Sequence, residues 1–240
     1  MTSPALVGDT NSARVLTEDV TRSALNGQTV AVGVTGSVAA IRVPELVAGL
    51  QARGAETLLV ATGNGLRFLG QVVLPTTWSM QRAPTEELVG FFGARGVRLY
   101  TDDDEWQSWR RLGDPVLHIE IRRQANVLLI APASANSLAK LAHGLCDNLL
   151  LSVARAWDLG EKPLLVAPAM NTAMWTHPVT AEHLQMLANR GVQVVEPVVK
   201  PLACGETGMG AMASVDALIR AVEAQIGAGS PVKTDHEPTH

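Results

Sequence analysis

The chain has 240 residues, of which 47% are apolar and 18% charged, so it has ample material for a buried core and is not a disordered polymer. Nineteen Lys and Arg stand against 23 Asp and Glu, a net charge of −4 that argues against a generic polyanion binder, and one Tyr, three Phe and five Trp are too few for a base-stacking platform. Two cysteines, Cys146 and Cys204, make neither a disulfide framework nor a four-ligand zinc site, so no metal is expected. No apolar run nears the roughly 20 residues that cross a bilayer. No basic region followed by an apolar stretch marks the N-terminus. The expectation is a soluble protein of a reducing compartment, the cytoplasm.

Residues 1–27 have weak periodicity and read as an N-terminal arm, mobile or loosely docked. Residues 28–226 read as one domain in which short apolar, β-branched runs alternate with helical stretches. The runs are Thr29–Val34, Thr57–Ala61, Val127–Ala131, Leu164–Ala167 and Val192–Val195. Each is short and almost wholly apolar, as strands covered on both faces are, which makes them parallel. Val38–Arg53 puts Ile41, Leu46, Val47 and Leu50 on one side of a helix that stops at Gly54. Val72–Arg98 breaks the rhythm and reads as an irregular excursion, with no function assigned. Asp114 as N-cap and Pro115 as first residue open a helix reaching Gln124. Thr176 or His177 starts another, Pro178–Arg190, and Ser214 caps a last one to about Ile226. The polar tail 227–240 has no apolar face and is expected to be disordered. Strand–helix alternation at this spacing is the pattern of an α/β, single-domain doubly wound parallel sheet of Rossmann-like architecture.

Five segments carry candidate chemistry. Thr35-Gly36-Ser37-Val38 joins the first strand to a helix, where a glycine admits a close ligand and the helix start offers N–H groups to an anion. No G-x-G-x-x-G or G-x-x-x-x-G-K-[ST] occurs, so one phosphate suits the turn better than a pyrophosphate, and a nicotinamide dehydrogenase is disfavoured. The same turn is also what any α/β protein needs. Ser134-Ala135-Asn136-Ser137 follows another strand; its side chains can contact a phosphate or ribityl chain, or simply cap the next helix. Asn171, among Met170, Met174 and Trp175, is the member of its segment that packing does not explain. His118 falls near a helix start, where the dipole favours a neutral imidazole able to take a proton, although a lone histidine is more often structural. His143, His177, His183, His236 and His240 have no assigned role. Cys204 lies in a glycine-punctuated loop, Lys200–Ala213, that could close over a ligand and present a thiol. Cys146 reads as a core cysteine.

The runs DPVLHIEIRRQANVLLIAPASAN (Asp114–Asn136), GLCDNLL (Gly144–Leu150), PAMNTAMW (Pro168–Trp175) and ACGETGMGAMA (Ala203–Ala213) resemble, in this order, the flavin-containing cysteine decarboxylases, over about residues 28–222. Val72–Arg98 departs from that pattern. The resemblance implies FMN with its phosphate near Gly36, Ser37 and Val38 and further contacts from Ser134, Ala135, Asn136 and Ser137, with Thr62, Phe68 and Ala169 as less specific flavin neighbours. It implies that His118 is the active-site histidine, Asn171 the holder of the substrate carboxylate and Cys204 the cysteine of a substrate clamp and a proton donor. The implied reaction is decarboxylation of 4′-phosphopantothenoylcysteine to 4′-phosphopantetheine in coenzyme A synthesis. Direct loss of CO₂ would leave a carbanion with no electron sink, and oxidation of the C–S unit by a flavin supplies one. The family further implies a homotrimer, or a dodecamer of trimers, with His118 serving a site whose Asn171 and Cys204 come from the neighbouring chain. Two alternatives remain within the resemblance: a non-catalytic regulatory or half-site subunit, and a flavin-dependent peptidyl-cysteine decarboxylase. The first suits relatives that lost a catalytic residue or gained acidic extensions, whereas His118, Asn171 and Cys204 are all present here and the tail carries only Asp235 and Glu237.

Overall fold

All five apolar runs become strands of one six-stranded parallel sheet. The computed structural model describes residues 23–73, 85–201 and 207–228. The strands are β1 (Thr29–Val34), β2 (Glu56–Ala61), β3 (Arg98–Tyr100), β4 (Val127–Ala133), β5 (Leu164–Pro168) and β6 (Gln193–Val194), in the order β3-β2-β1-β4-β5-β6. Every pairing is parallel. β3 is three residues long and begins with the exposed Arg98, too short and too polar at its start to stand out as an apolar run.

Helices cover both faces. A 3₁₀ turn (Val38–Arg42) leads into α1 (Val43–Gln51); then come α2 (Gly63–Val73), α3 (Thr85–Gly93), α4 (Asp102–Ser108), α5 (Leu117–Gln124), α6 (Ala135–His143), α7 (Leu149–Arg155), α8 (Thr172–Trp175), α9 (Pro178–Ala188) and α10 (Val215–Ala228). Successive strand residues point to opposite faces. Val30, Val32, Leu59 and Leu129 therefore pack with Leu46 and Leu50 of α1, Phe92 of α3, and Leu218 and Ile219 of α10. Ala31, Val60, Leu128, Ile130 and Val166 pack on the other side with Ile121 of α5, Leu138 of α6, Leu149 and Leu150 of α7, and Leu187 of α9.

Several expectations change. Ile41 does not share the buried face of Leu46, Val47 and Leu50: the 3₁₀ turn winds tighter than an α-helix and leaves Ile41 43% exposed. The stretch 72–98 is not irregular throughout, since α3 lies within it with Leu88 and Phe92 fully buried; residues 74–84 lie outside those described. Asp114 does not cap α5. Its carboxylate accepts the backbone N–H groups of Arg110 and Arg111, 2.9 Å each, and α5 begins after Val116 instead. Cys146 is exposed rather than core, because it follows the left-handed cap Gly144 in the connection between α6 and α7. Of the arm, Ser23–Gly27 is described, and Leu25 is fully buried against the α10 side of the sheet. Residues 1–22 and 229–240 lie outside the described residues.

The glycine-punctuated segment is not a loop throughout. β7 (Val198–Pro201) and β8 (Thr207–Ala211) form an antiparallel hairpin, and residues 202–206, with Cys204, lie outside the described residues. Gly210 serves close approach: its φ is +127°, a Cβ there would stand 2.4 Å from the Met170 carbonyl oxygen, and its own carbonyl accepts Met170 N–H at 2.9 Å.

Leu129 lies at the centre of β4 with no exposure, so Leu129→Ala is expected to cost about 3 kcal/mol, read as a lower urea midpoint at unchanged slope.

Candidate active site

In an open parallel sheet, the connections from adjacent strands diverge where the strand order reverses, and ligands bind beyond the carboxyl ends there. Here that point lies between β1 and β4. The two loops singled out in the sequence are the ones that leave these strands. They are joined by Thr35, which is fully buried: its hydroxyl donates to the Pro132 carbonyl (2.8 Å) and accepts the Ser134 N–H (2.8 Å), while its N–H also donates to Pro132 (3.3 Å).

The loops open into a cleft of about 900 Å³. Its walls include Gly36, Ser37 and Val38 after β1, Thr62 and Phe68 at α2, Ser134 to Ser137 at the start of α6, Ala169 and Asn171 after β5, and Gly210 of the hairpin. Ser37 caps the 3₁₀ turn by accepting Ala39 N–H, and Ser134 caps α6 by accepting Ser137 N–H. The first N–H groups of a helix have no acceptor within it, so both starts aim positive dipole ends at one space. A Cβ on Gly36 would lie 2.8 Å from the Asn64 Cβ, so the glycine lets the β1 turn and the start of α2 close on each other. Asn171 is the N-cap of α8, its side-chain oxygen accepting Ala173 N–H at 2.7 Å.

The opposite rim carries charge. Lys140 pairs with Asp147, Asn148 caps α7, and Asp102 of α4 accepts Leu149 N–H at 2.9 Å; all four line the cleft. Burial raises the Asp102 carboxyl above the usual range against the lowering effect of the Leu149 N–H, with Asp103, Asp147 and Glu105 adding repulsion. Among the described residues no group of three or more His, Cys, Asp or Glu is placed to hold a metal ion.

His118 is not on the wall of this cleft. It is the second residue of α5, which runs antiparallel to β4 and so starts at the same end of the sheet. Its ring meets a carboxylate that the sequence did not disclose: Nδ1 lies 2.6 Å from Glu105 Oε1, and Glu105 Oε2 accepts the His118 N–H at 3.1 Å. Glu105 closes an acidic run, Asp102–Glu105, that in sequence looks like a solvated helix start. Thr35, Asn64, Asp102 and Lys140 are further site members that carried no functional signal of their own in sequence.

A family model for Flavoprotein matches residues 19–227. The chain belongs to the Flavoprotein family. A mouse phosphopantothenoylcysteine decarboxylase is 46% identical over 196 residues, covering 81% of this chain and 85% of the mouse protein. A solved PPC decarboxylase mutant complexed with pantothenoylaminoethenethiol is 45% identical, with a TM-score of 0.69 over 82% of this chain and 97% of that one. The FMN-binding protein AtHal3 is 44% identical, with a TM-score of 0.68 over 85% and 99%. The cleft fits the flavin that the family's name implies: it has the volume for a tricyclic ring and ribityl chain, small residues where the walls come closest, and two helix starts for one phosphate.

Thr35→Val keeps shape and removes the hydroxyl, leaving Pro132 and Ser134 without that partner; it is expected to cost about 1–2 kcal/mol and to weaken FMN retention, measured by urea unfolding and by flavin released on dilution. Asp102 tests the charged rim. A carboxyl raised in the folded state contributes stability in acid that is lost as pH rises, so at neutral pH the folded protein holds a disfavoured charge. Asp102→Asn keeps an acceptor for Leu149 and is expected to raise Tm by about 2 °C at neutral pH, with the gain vanishing on acidification in parallel thermal melts.

Proposed function

We propose that this chain uses FMN to decarboxylate 4′-phosphopantothenoylcysteine to 4′-phosphopantetheine in coenzyme A synthesis. The observation that carries the reading is the cleft at the strand-order reversal, where two helix starts meet beside Asn171. The Gly36-Ser37-Val38 turn and Ser134, Ala135, Asn136 and Ser137 would hold the phosphate and ribityl chain, with Thr62, Phe68 and Ala169 against the ring system. Bound there, FMN supplies a reversible two-electron sink that no side chain offers. Asn171 is of the right type to fix the substrate carboxylate, since its amide nitrogen donates hydrogen bonds and α8 anchors the side chain through its oxygen. His118 holds and moves a proton at Nε2, the ring nitrogen not turned to Glu105. Cys204, in the sequence between β7 and β8, is the donor assigned to the product side; β8 contributes Gly210 and Ala211 to the cleft wall.

The position of His118 off its own cleft supports a homotrimer, or a dodecamer of trimers, in which it completes the neighbouring chain's site. Trp106, Trp109, Leu112 and Val116 are exposed in the segment that leads to it, an apolar strip that a second copy would cover. Among the described residues no helix is long and apolar enough to cross a membrane. The reaction belongs in the cytoplasm, where the exposed Cys146 thiol stays reduced.

The purified chain is expected to be yellow with bound FMN and to release CO₂ from 4′-phosphopantothenoylcysteine; His118→Asn should retain the flavin and lose at least about 10²-fold in rate. A colourless protein inert toward this substrate would overturn the proposal.

A further inference from the structure

Glu105 holds His118 at two points: Oε1 lies 2.6 Å from ring Nδ1 and Oε2 accepts the His118 backbone N–H at 3.1 Å. The side chains are 17% and 26% exposed, so the pair is only partly open to competing water. An ionised carboxylate can only accept, so the hydrogen between the two groups sits on Nδ1, which donates. The other tautomer would set two acceptors against each other at that distance. Nε2 is then the nitrogen left to exchange a proton with a ligand, and a ring tied both to a carboxylate and, through its own backbone, to the same carboxylate has little freedom to rotate.

The helix turn that carries Glu105 is anchored. Thr101 donates its N–H and its hydroxyl to Asp104 Oδ2 (2.7 and 2.8 Å), closing the start of α4, and Asp102 ties the same helix turn to the start of α7 through Leu149. α5 has no capping side chain at its own N-cap, Val116, so Glu105 also supplies one of its missing acceptors.

We infer that Glu105 is a positioning residue for the decarboxylation, fixing the tautomer and direction of the His118 imidazole from across the α4–α5 connection. The inference rests on the acid–base role given to His118 in the proposed function. Its test uses the FMN-loaded full chain with isotope-labelled histidine, reading the His118 ring nitrogens by NMR alongside kcat, KM and flavin content. Glu105→Ala is expected to lose the Nδ1–H signature and roughly 10²-fold in kcat at unchanged KM and flavin content, a loss in the range that removing an orienting carboxylate produces. Glu105→Gln keeps one oxygen to accept from Nδ1–H but turns its amide NH₂ toward the His118 backbone N–H, so it is expected to keep the Nδ1–H signature and to recover only part of the rate. Glu105→Asp keeps the charge but falls one methylene short and is expected to behave like alanine. If Glu105→Ala does not fold, the Gln and Asp variants decide the matter.

A Glu105→Ala protein with the wild-type ring signature and rate would overturn the inference, as would Gln and Asp variants that lose rate only in proportion to folded, flavin-bound protein. Full activity in His118→Gln would instead remove the proposed role of the histidine. The ring signature of Glu105→Ala would still report whether the clamp exists.

Discussion

The site depends on the two hydrogen bonds that the Thr35 hydroxyl makes across the carboxyl ends of β1 and β4. A parallel sheet that reverses its strand order must part its connections at one place, and backbone groups there lose their ladder partners. Thr35 closes that parting from beneath by giving its proton to Pro132 and taking one from Ser134. The loops above it are thereby held at a fixed separation, and each begins a helix capped by its own serine, Ser37 on one side and Ser134 on the other. The same buried hydroxyl thus completes the sheet and sets the width of the cleft.

A second division of labour runs through α4. Asp102, Asp103, Asp104 and Glu105 form a run of four acids, a composition that ordinarily marks a solvated helix start. Three of the four instead accept backbone N–H groups: Asp102 from α7, Asp104 from the N-cap of α4, and Glu105 from α5. The other end of α5 is finished in the same external manner, by the Lys162 ammonium donating to the carbonyls of Arg122 and Ala125. Burial lowers the Lys162 pKa from its ordinary range, the nearby Arg122 adding to that effect, while two carbonyls and the Trp157 ring receive the ammonium. The histidine-bearing helix is therefore held at both ends by residues outside it. Asp114, just ahead of this helix, accepts the N–H groups of Arg110 and Arg111 in the preceding turn instead.

Glycine shows how one composition admits two physical uses. Repeated glycine in Ala203–Ala213 suggests a flexible flap, because glycine enlarges the set of allowed backbone angles. At Gly208 and Gly210 the absent side chain matters for space: a Cβ would meet the Thr172 hydroxyl at 2.2 Å or the Met170 carbonyl at 2.4 Å. The strand lies against the segment that carries Asn171, so the hairpin helps to fix one wall of the cleft.

By itself the sequence determined the local terms: five of the six strands of the parallel sheet, the helices that start at Val38, Pro178 and Val215, and the two serine-bearing loops, together with a family resemblance that named FMN. These follow from short-range causes, namely apolar period, capping residues and turn chemistry, which act within a few residues and leave a legible pattern. Tertiary structure alone decided that Thr35 would bridge two loops, with Pro132 and Ser134 nearly a hundred residues on from it, that Glu105 would face His118, and that Ile41 and Cys146 would be exposed. Such contacts join segments that meet only when the sheet has formed. Neither partner's chemistry names the other in advance, since a threonine or a glutamate is as well satisfied by water as by the group it finally meets.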